Sequence, residues 1–113
     1  MIEYWHNPRC SKSRAGLALL EENGAQITLR KYLEDAPTVE QLRAAQSALG
    51  LSPIEMMRTG ENRFKELGLT KTSSGDDLIR AMAENPILIE RPLAIVGRKA
   101  AIGRPPENLL ALL

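Results

Sequence analysis

A single cysteine, Cys10, stands among the 113 residues, and a single histidine, His6. The lone cysteine excludes an intramolecular disulfide, so the fold is not cross-linked and any redox cycle must borrow a thiol from another molecule. One Cys and one His do not make a structural zinc site, and no metal is expected. Aromatic residues are scarce at 4%, which leaves Leu, Ile, Val, Ala and Met to fill the core. The net charge of +1 offers no basis for nonspecific binding to nucleic acid or to acidic membranes. No apolar run approaches the roughly 20 residues needed to cross a bilayer. The segment Met1 to Trp5 contains Glu3 and lacks a basic start and an apolar stretch, so no signal peptide is expected and the cytoplasm is the default location. What is present is an ordinary globular balance, 43% apolar and 26% charged, sized for one domain over residues 1–113.

The punctuation of the chain suggests its order of elements. Ile2 to Trp5 is a short run of β-formers, halted by the turn signal Asn7-Pro8. Ser11 to Asn23 reads as a helix with Leu17, Ala18 and Leu20 toward a core and Gly24 closing it. Gln26 to Tyr32 alternates as a second strand with Ile27, Leu29 and Lys31 on one side, and a crossover helix of that length implies that the two strands are parallel.

The middle is helical. Thr38 with Gln41 forms a capping box ahead of Val39, Leu42, Ala45 and Leu49, and Gly50 stops that helix. Ser52 with Glu55 forms a second box, with Pro53 at the first helical position and an end near Arg58 to Gly60. Asn62 to Leu67 reads as a further turn of helix closed by Gly68. Asp76 to Asn85 reads as a helix burying Leu78, Ile79, Met82 and Ala83, with Asp76 spaced to pair with Arg80. Pro92 to Val96 and Ala100 to Gly103 flank a hairpin turn at Gly97-Arg98-Lys99, and Pro105-Pro106 open a last helix through Leu109, Leu110 and Leu113. The sum is α/β: a thioredoxin-like arrangement, a four-stranded mixed sheet with a helical insertion between a βαβ half and a ββα half.

Chemistry concentrates at Cys10, which falls at the start of the first helix. Unpaired N–H groups and the positive end of the helix dipole favour an anion there, and a thiolate is one. Arg9, Lys12 and Arg14 push the same way, and the Ser13 hydroxyl is spaced to donate to the sulfur. The alternative is a buried structural cysteine, common for this residue type. Arg58, Arg91 and Arg104 stand at element boundaries where folding alone does not require them, and a guanidinium fork suits a multi-oxygen anion. Solvated surface arginines are the competing reading for each one singly. His6 is expected to act structurally and electrostatically rather than as a proton carrier, and Asn7 to hold the loop. Pro92, opening a strand beside such a cysteine, is a candidate for a cis bond, which occurs in about 5% of X-Pro bonds.

Four stretches carry a resemblance: His6-Asn7-Pro8-Arg9-Cys10-Ser11-Lys12-Ser13-Arg14, Glu66-Leu67-Gly68-Leu69, Asn85-Pro86-Ile87-Leu88-Ile89-Glu90-Arg91-Pro92 and Gly103-Arg104-Pro105. In order and spacing they resemble the ArsC-like family of glutaredoxin-coupled arsenate reductases. The end at Leu113, and Ser11-Lys12 in place of Gly-Thr, point to its short, YfgD-like branch. The resemblance implies a thioredoxin-like fold and reduction of arsenate to arsenite. It implies Cys10 as nucleophile, Arg58, Arg91 and Arg104 as oxyanion ligands, and His6, Asn7, Ser13, Arg14 and Pro92 as supporting residues. It further implies glutathione as co-substrate and glutaredoxin as partner; no bound cofactor is expected, and the chain is expected to be a monomer. Two other functions fit parts of the pattern. One is an Spx-like, non-catalytic regulator of RNA polymerase, although Ser13 replaces the second cysteine of its Cys-x-x-Cys switch. The other is a general glutathione-linked thiol oxidoreductase.

Overall fold

β1, Ile2–Trp5, buries Ile2, Tyr4 and Trp5 and occupies an inner position of the sheet. The computed structural model describes every residue from Met1 to Leu113. The chain continues through α1 (Ser11–Glu22) into β2 (Ile27–Arg30), which pairs with β1 in parallel, Ile2 opposite Ile27. β3 (Leu93–Val96) lies antiparallel on the other side of β1, with Leu93 opposite Trp5, and β4 (Lys99–Ile102) follows it across a tight turn. Gly97 sits in that turn with φ +57°, a conformation glycine adopts without steric cost. The strand order is β2-β1-β3-β4, the mixed four-stranded sheet expected.

Contacts divide the chain into two compact units, one of Met1–Asp35 with Arg91–Leu113 and one of Ala36–Glu90. The first contains the sheet, α1 and a closing 3₁₀ helix, Pro106–Leu112. Its core is Ile2, Tyr4, Leu20, Ala94, Leu109 and Leu112, with Leu17, Ile27 and Val96 packed against it. Fully burying an aliphatic or aromatic side chain of this kind contributes about 1.5–3 kcal/mol.

Three details of this unit differ from the sequence expectation. Ala18 is exposed, and Gly16 and Leu20 take the inward face of α1. Leu29 is 48% exposed, because β2 is the edge of the sheet and only Ile27 reaches the core. The last helix is 3₁₀ rather than α, and its three-residue repeat buries Leu109 and Leu112 while Leu110 and Leu113 face outward.

Gly16 carries a prediction. Glycine inside a helix costs about 1 kcal/mol relative to alanine, so its presence needs a reason. A Cβ at Gly16 would stand 2.5 Å from Tyr4 Oη and 2.8 Å from Leu109 Cδ1, and one at Gly103 would stand 2.7 Å from Pro92 Cγ. Gly16→Ala is therefore expected to destabilise by about 1–3 kcal/mol, the usual range for overpacking, despite its better helix propensity. A thermal melt reads this as a drop of several degrees; an unchanged or raised midpoint would contradict the close approach.

The second unit is helical: α2 (Val39–Leu49), a 3₁₀ turn Pro53–Met56, α3 (Asn62–Glu66), α4 (Gly75–Glu84) and a 3₁₀ turn Pro86–Leu88. Both capping boxes form. The Gln41 N–H donates to Thr38 Oγ1 at 3.1 Å and the Thr38 N–H to Gln41 Oε1 at 3.0 Å, and Gly50 closes α2 with φ +68°. The Ser52 N–H donates to Glu55 Oε1 at 2.9 Å, although the element it starts is a single 3₁₀ turn. α4 packs on α2 and on both 3₁₀ turns through Leu78, Ile79 and Met82, with Ala81 buried in place of Ala83. Asp76 pairs with Arg43 at 2.8 Å, so the expected partner Arg80 is left a weaker, longer-range role. No helix of the chain is long and apolar enough to cross a membrane.

Candidate active site

The connection from β1 to α1 is held almost entirely by its own polar groups. The His6 N–H donates to the Arg30 carbonyl at 2.8 Å, which fixes where β1 ends. Asn7 then organises the turn: its carbonyl accepts the Cys10 N–H at 3.0 Å and its Oδ1 accepts the Arg9 N–H at 3.1 Å. Arg14 Nη1 returns from the helix to the Pro8 carbonyl at 2.8 Å. Asn7 thus ties the loop together, and Arg14 adds a bond to it from the helix.

Ser13 departs from expectation. It is fully buried, its Oγ accepts the Asn7 N–H at 3.0 Å and is hydrogen-bonded to His6 Nδ1 at 2.7 Å. The hydroxyl therefore serves the loop and the histidine, not the sulfur. The Ser13 carbonyl accepts from Tyr4 Oη at 2.7 Å; burial, more than any other influence, pushes the Tyr4 phenol far above its ordinary range, so it stays a donor. His6 is buried, and burial, followed by the charges of Lys31 and Arg14, lowers its pKa. A neutral imidazole is thereby favoured.

Cys10 is the N-cap of α1, with extended backbone and 8% of its surface exposed. Burial alone raises a thiol pKa, yet the net direction here is downward. The Ser13 N–H, the Arg91 guanidinium and the Lys12 N–H outweigh the burial. The sulfur makes no side-chain capping hydrogen bond of ordinary geometry with these helix-start N–H groups. Arg91 acts directly, its Nε donating to Cys10 Sγ at 3.1 Å across 81 residues of sequence. The charges of Arg9, Lys12 and Arg14, expected to favour the thiolate, are not among the causes: the Ser13 N–H leads, the sequence-distant Arg91 follows, and Lys12 contributes through its backbone.

The alkylation rate of Cys10 plotted against pH should accordingly have its midpoint below the ~8.5 of a free thiol. A midpoint at or above that value would contradict the arrangement. By linkage, the lowered pKa adds stability that is fully present above the unfolded-chain pKa and disappears as pH falls through the folded-state pKa.

Arg91–Pro92 is a cis bond, as is Arg104–Pro105, which the sequence reading did not anticipate. Pro92 is buried, and its carbonyl accepts the Gly103 N–H at 2.9 Å. Arg104 Nε donates to the Arg91 carbonyl at 2.8 Å. Cys10, Arg91 and Arg104 are thus joined by consecutive hydrogen bonds within the first unit. Arg58 belongs to the second unit, where it pairs with Glu61 at 2.6 Å and its N–H donates to the Leu88 carbonyl at 2.8 Å. Sequence reasoning missed Gly16 and Gly103, whose small size admits Tyr4, Leu109 and Pro92; a glycine inside an amphipathic helix was the available signal. The arrangement has the parts for a nucleophilic thiolate with a guanidinium at the reacting atom.

The model of the ArsC family matches residues 5–112. An arsenate reductase of Neisseria meningitidis is 46% identical, the match covering 99% of this chain and 97% of that one. The uncharacterised protein YfgD of Escherichia coli is 45% identical over 98% of this chain and 95% of its own length. Among solved structures, an arsenate reductase from Vibrio cholerae superposes with a TM-score of 0.94 at 47% identity, covering 99% of this chain and 97% of that one.

Proposed function

The chain belongs to the ArsC family, and from that premise we propose that it reduces arsenate to arsenite through Cys10, with glutathione and glutaredoxin as reductants. The observation that carries this reading is Arg91 Nε at 3.1 Å from the Cys10 sulfur, a cation at the atom that must be an anion to react. The thiolate attacks arsenic, an S–As bond replaces one As–O bond, and that oxygen, protonated from solvent, leaves as water. Arg91 and Arg104 hold the remaining oxygens, because a guanidinium donates two parallel hydrogen bonds to an oxyanion. For Arg58 the support is the family motif rather than geometry. His6, Asn7, Ser13, Arg14 and Pro92 hold the loop and the sulfur in place.

A glutathione thiolate then attacks the Cys10 sulfur. The S–As electron pair passes to arsenic, which departs as arsenite, and the two sulfurs remain joined as a mixed disulfide. A glutaredoxin thiolate attacks the glutathione sulfur and releases Cys10. The lone cysteine supports this sequence, since no internal thiol exists to resolve an intermediate. It equally disfavours a regulator that works by an internal disulfide. We assign the reaction to a monomer in the cytoplasm, where the reduced glutathione pool resides. The test is arsenate-dependent NADPH oxidation in the presence of glutathione, glutaredoxin and glutathione reductase. Turnover that needs all components supports the assignment; NADPH consumption as this protein, with glutaredoxin omitted, reduces glutathionylated peptides, without any response to arsenate, would favour a general thiol oxidoreductase instead.

A further inference from the structure

Beside the Cys10 loop, within the first unit, lies a cleft of about 310 Å³ lined by His6, Asn7, Arg9, Lys31, Leu33 and Glu34, together with Pro8. The mechanism above uses only its His6 and Asn7, and those for the loop. Its size is at the low end for small-molecule sites, which suits a short peptide rather than a protein segment. Its charges are two cations and one anion, and no ion pair joins any of the three to another residue of the chain. Leu33, 44% exposed, adds an apolar side chain to the lining. Arg9, one of its lining residues, directly precedes Cys10 in the chain. The Glu34 N–H and Asp35 N–H both donate to the Lys31 carbonyl at 2.9 Å, fixing the turn that carries Lys31 and Glu34.

We propose that this cleft binds the glutathionyl group: a small peptide thiol with two carboxylates and one ammonium, its carboxylates on Arg9 and Lys31 and its ammonium on Glu34. The inference rests on the reading of Cys10 as a nucleophile served by glutathione. The charge pattern is what selects this ligand over other small thiols. A neutral thiol would leave all three charged groups unmatched, and a purely anionic one would meet Glu34 with like charge. Occupation of the cleft also sets the geometry of exchange, since the glutathionyl sulfur arrives at Cys10 while the rest of the tripeptide is held on the Arg9 side.

The test needs no arsenate. Cys10 thiolate attacks a disulfide, one S–S bond forms as another breaks, and a thiolate leaves, so glutathione disulfide and the uncharged hydroxyethyl disulfide each label Cys10 at a rate read by intact mass. The ratio of the two rate constants reports the cleft and cancels changes in the thiol itself. Lys31→Glu reverses one cation at an exposed position and should lower that ratio by roughly five- to tenfold, the scale expected when an exposed attraction becomes a repulsion. Glu34→Lys should lower it less, and added salt should shrink the wild-type ratio toward the variants. A ratio that does not move in Lys31→Glu overturns the cleft assignment while leaving the nucleophile intact. Failure of Cys10 to react with either disulfide removes the nucleophile reading and the cleft assignment with it.

Discussion

Replacing Cys10 by serine is expected to remove arsenate-dependent turnover while leaving the fold and its thermal midpoint close to wild type. Serine is nearly the same size, so the loop bonds of Asn7, Ser13 and Arg14, none of which uses the sulfur, are retained. The hydroxyl stays protonated under conditions in which the thiol ionises, and neither the helix-start N–H groups nor Arg91 closes a gap of that size. The measurement is the coupled NADPH assay on a variant whose circular dichroism matches wild type. Retention of a substantial part of the wild-type rate would place the chemistry elsewhere.

The arginines form the second large prediction. Lysine at Arg91 keeps the charge but loses the planar fork, and it withdraws the Nε donor now 3.1 Å from the sulfur. Two readouts should move together: kcat/KM for arsenate should fall by roughly 10- to 150-fold, the kinetic equivalent of losing a charge-assisted hydrogen bond worth about 1.5–3 kcal/mol, and the alkylation midpoint of Cys10 should rise. Lysine at Arg104 loses the 2.8 Å bond to the Arg91 carbonyl, so its effect should fall mainly on arsenate use. Arg58→Lys tests the third oxyanion ligand implied by the family motif. Arg98, exposed in the β3–β4 turn, is the control. If all three variants behave like Arg98→Lys, the oxyanion assignment must be withdrawn.

Elements whose causes are local were readable before the structure. The Thr38–Gln41 box and the Gly50 stop depend on residues three to a few positions apart, and α2 has those bounds. β1, the parallel pairing with β2 and the β3–β4 hairpin follow from runs, turns and crossover length in the same way. Burial was less legible. Leu29 looks like a core residue until β2 is known to be an edge, and Ala18 looks inward until Gly16 is seen to face Tyr4 and Leu109. Asp76 has a partner at helical spacing in Arg80, yet it takes Arg43, 33 residues away, because α2 and α4 pack together.

At the site, position alone pointed to Cys10, since the start of a helix after a strand favours an anion whatever the rest of the fold. The helix start acts as expected, through the Ser13 and Lys12 N–H groups, but the source of the helping charge was misread. Adjacent basic residues catch the eye in a sequence, but Arg14 is drawn to the Pro8 carbonyl and Arg91 reaches the sulfur from the far end of the chain. Ser13 shows the same limit: its spacing was right, and its hydroxyl belongs to His6 because both are buried and each needs a partner.

A single-turnover experiment without glutaredoxin tests the central claim most directly. Reduced protein is mixed with arsenate and glutathione, quenched, and read by intact mass and by arsenite release. The account predicts one glutathionyl group on Cys10 for each arsenite formed, with neither appearing when arsenate is omitted. Arsenite formed with Cys10 unmodified, or glutathionylation of Cys10 by disulfide-free glutathione that does not depend on arsenate, would contradict it.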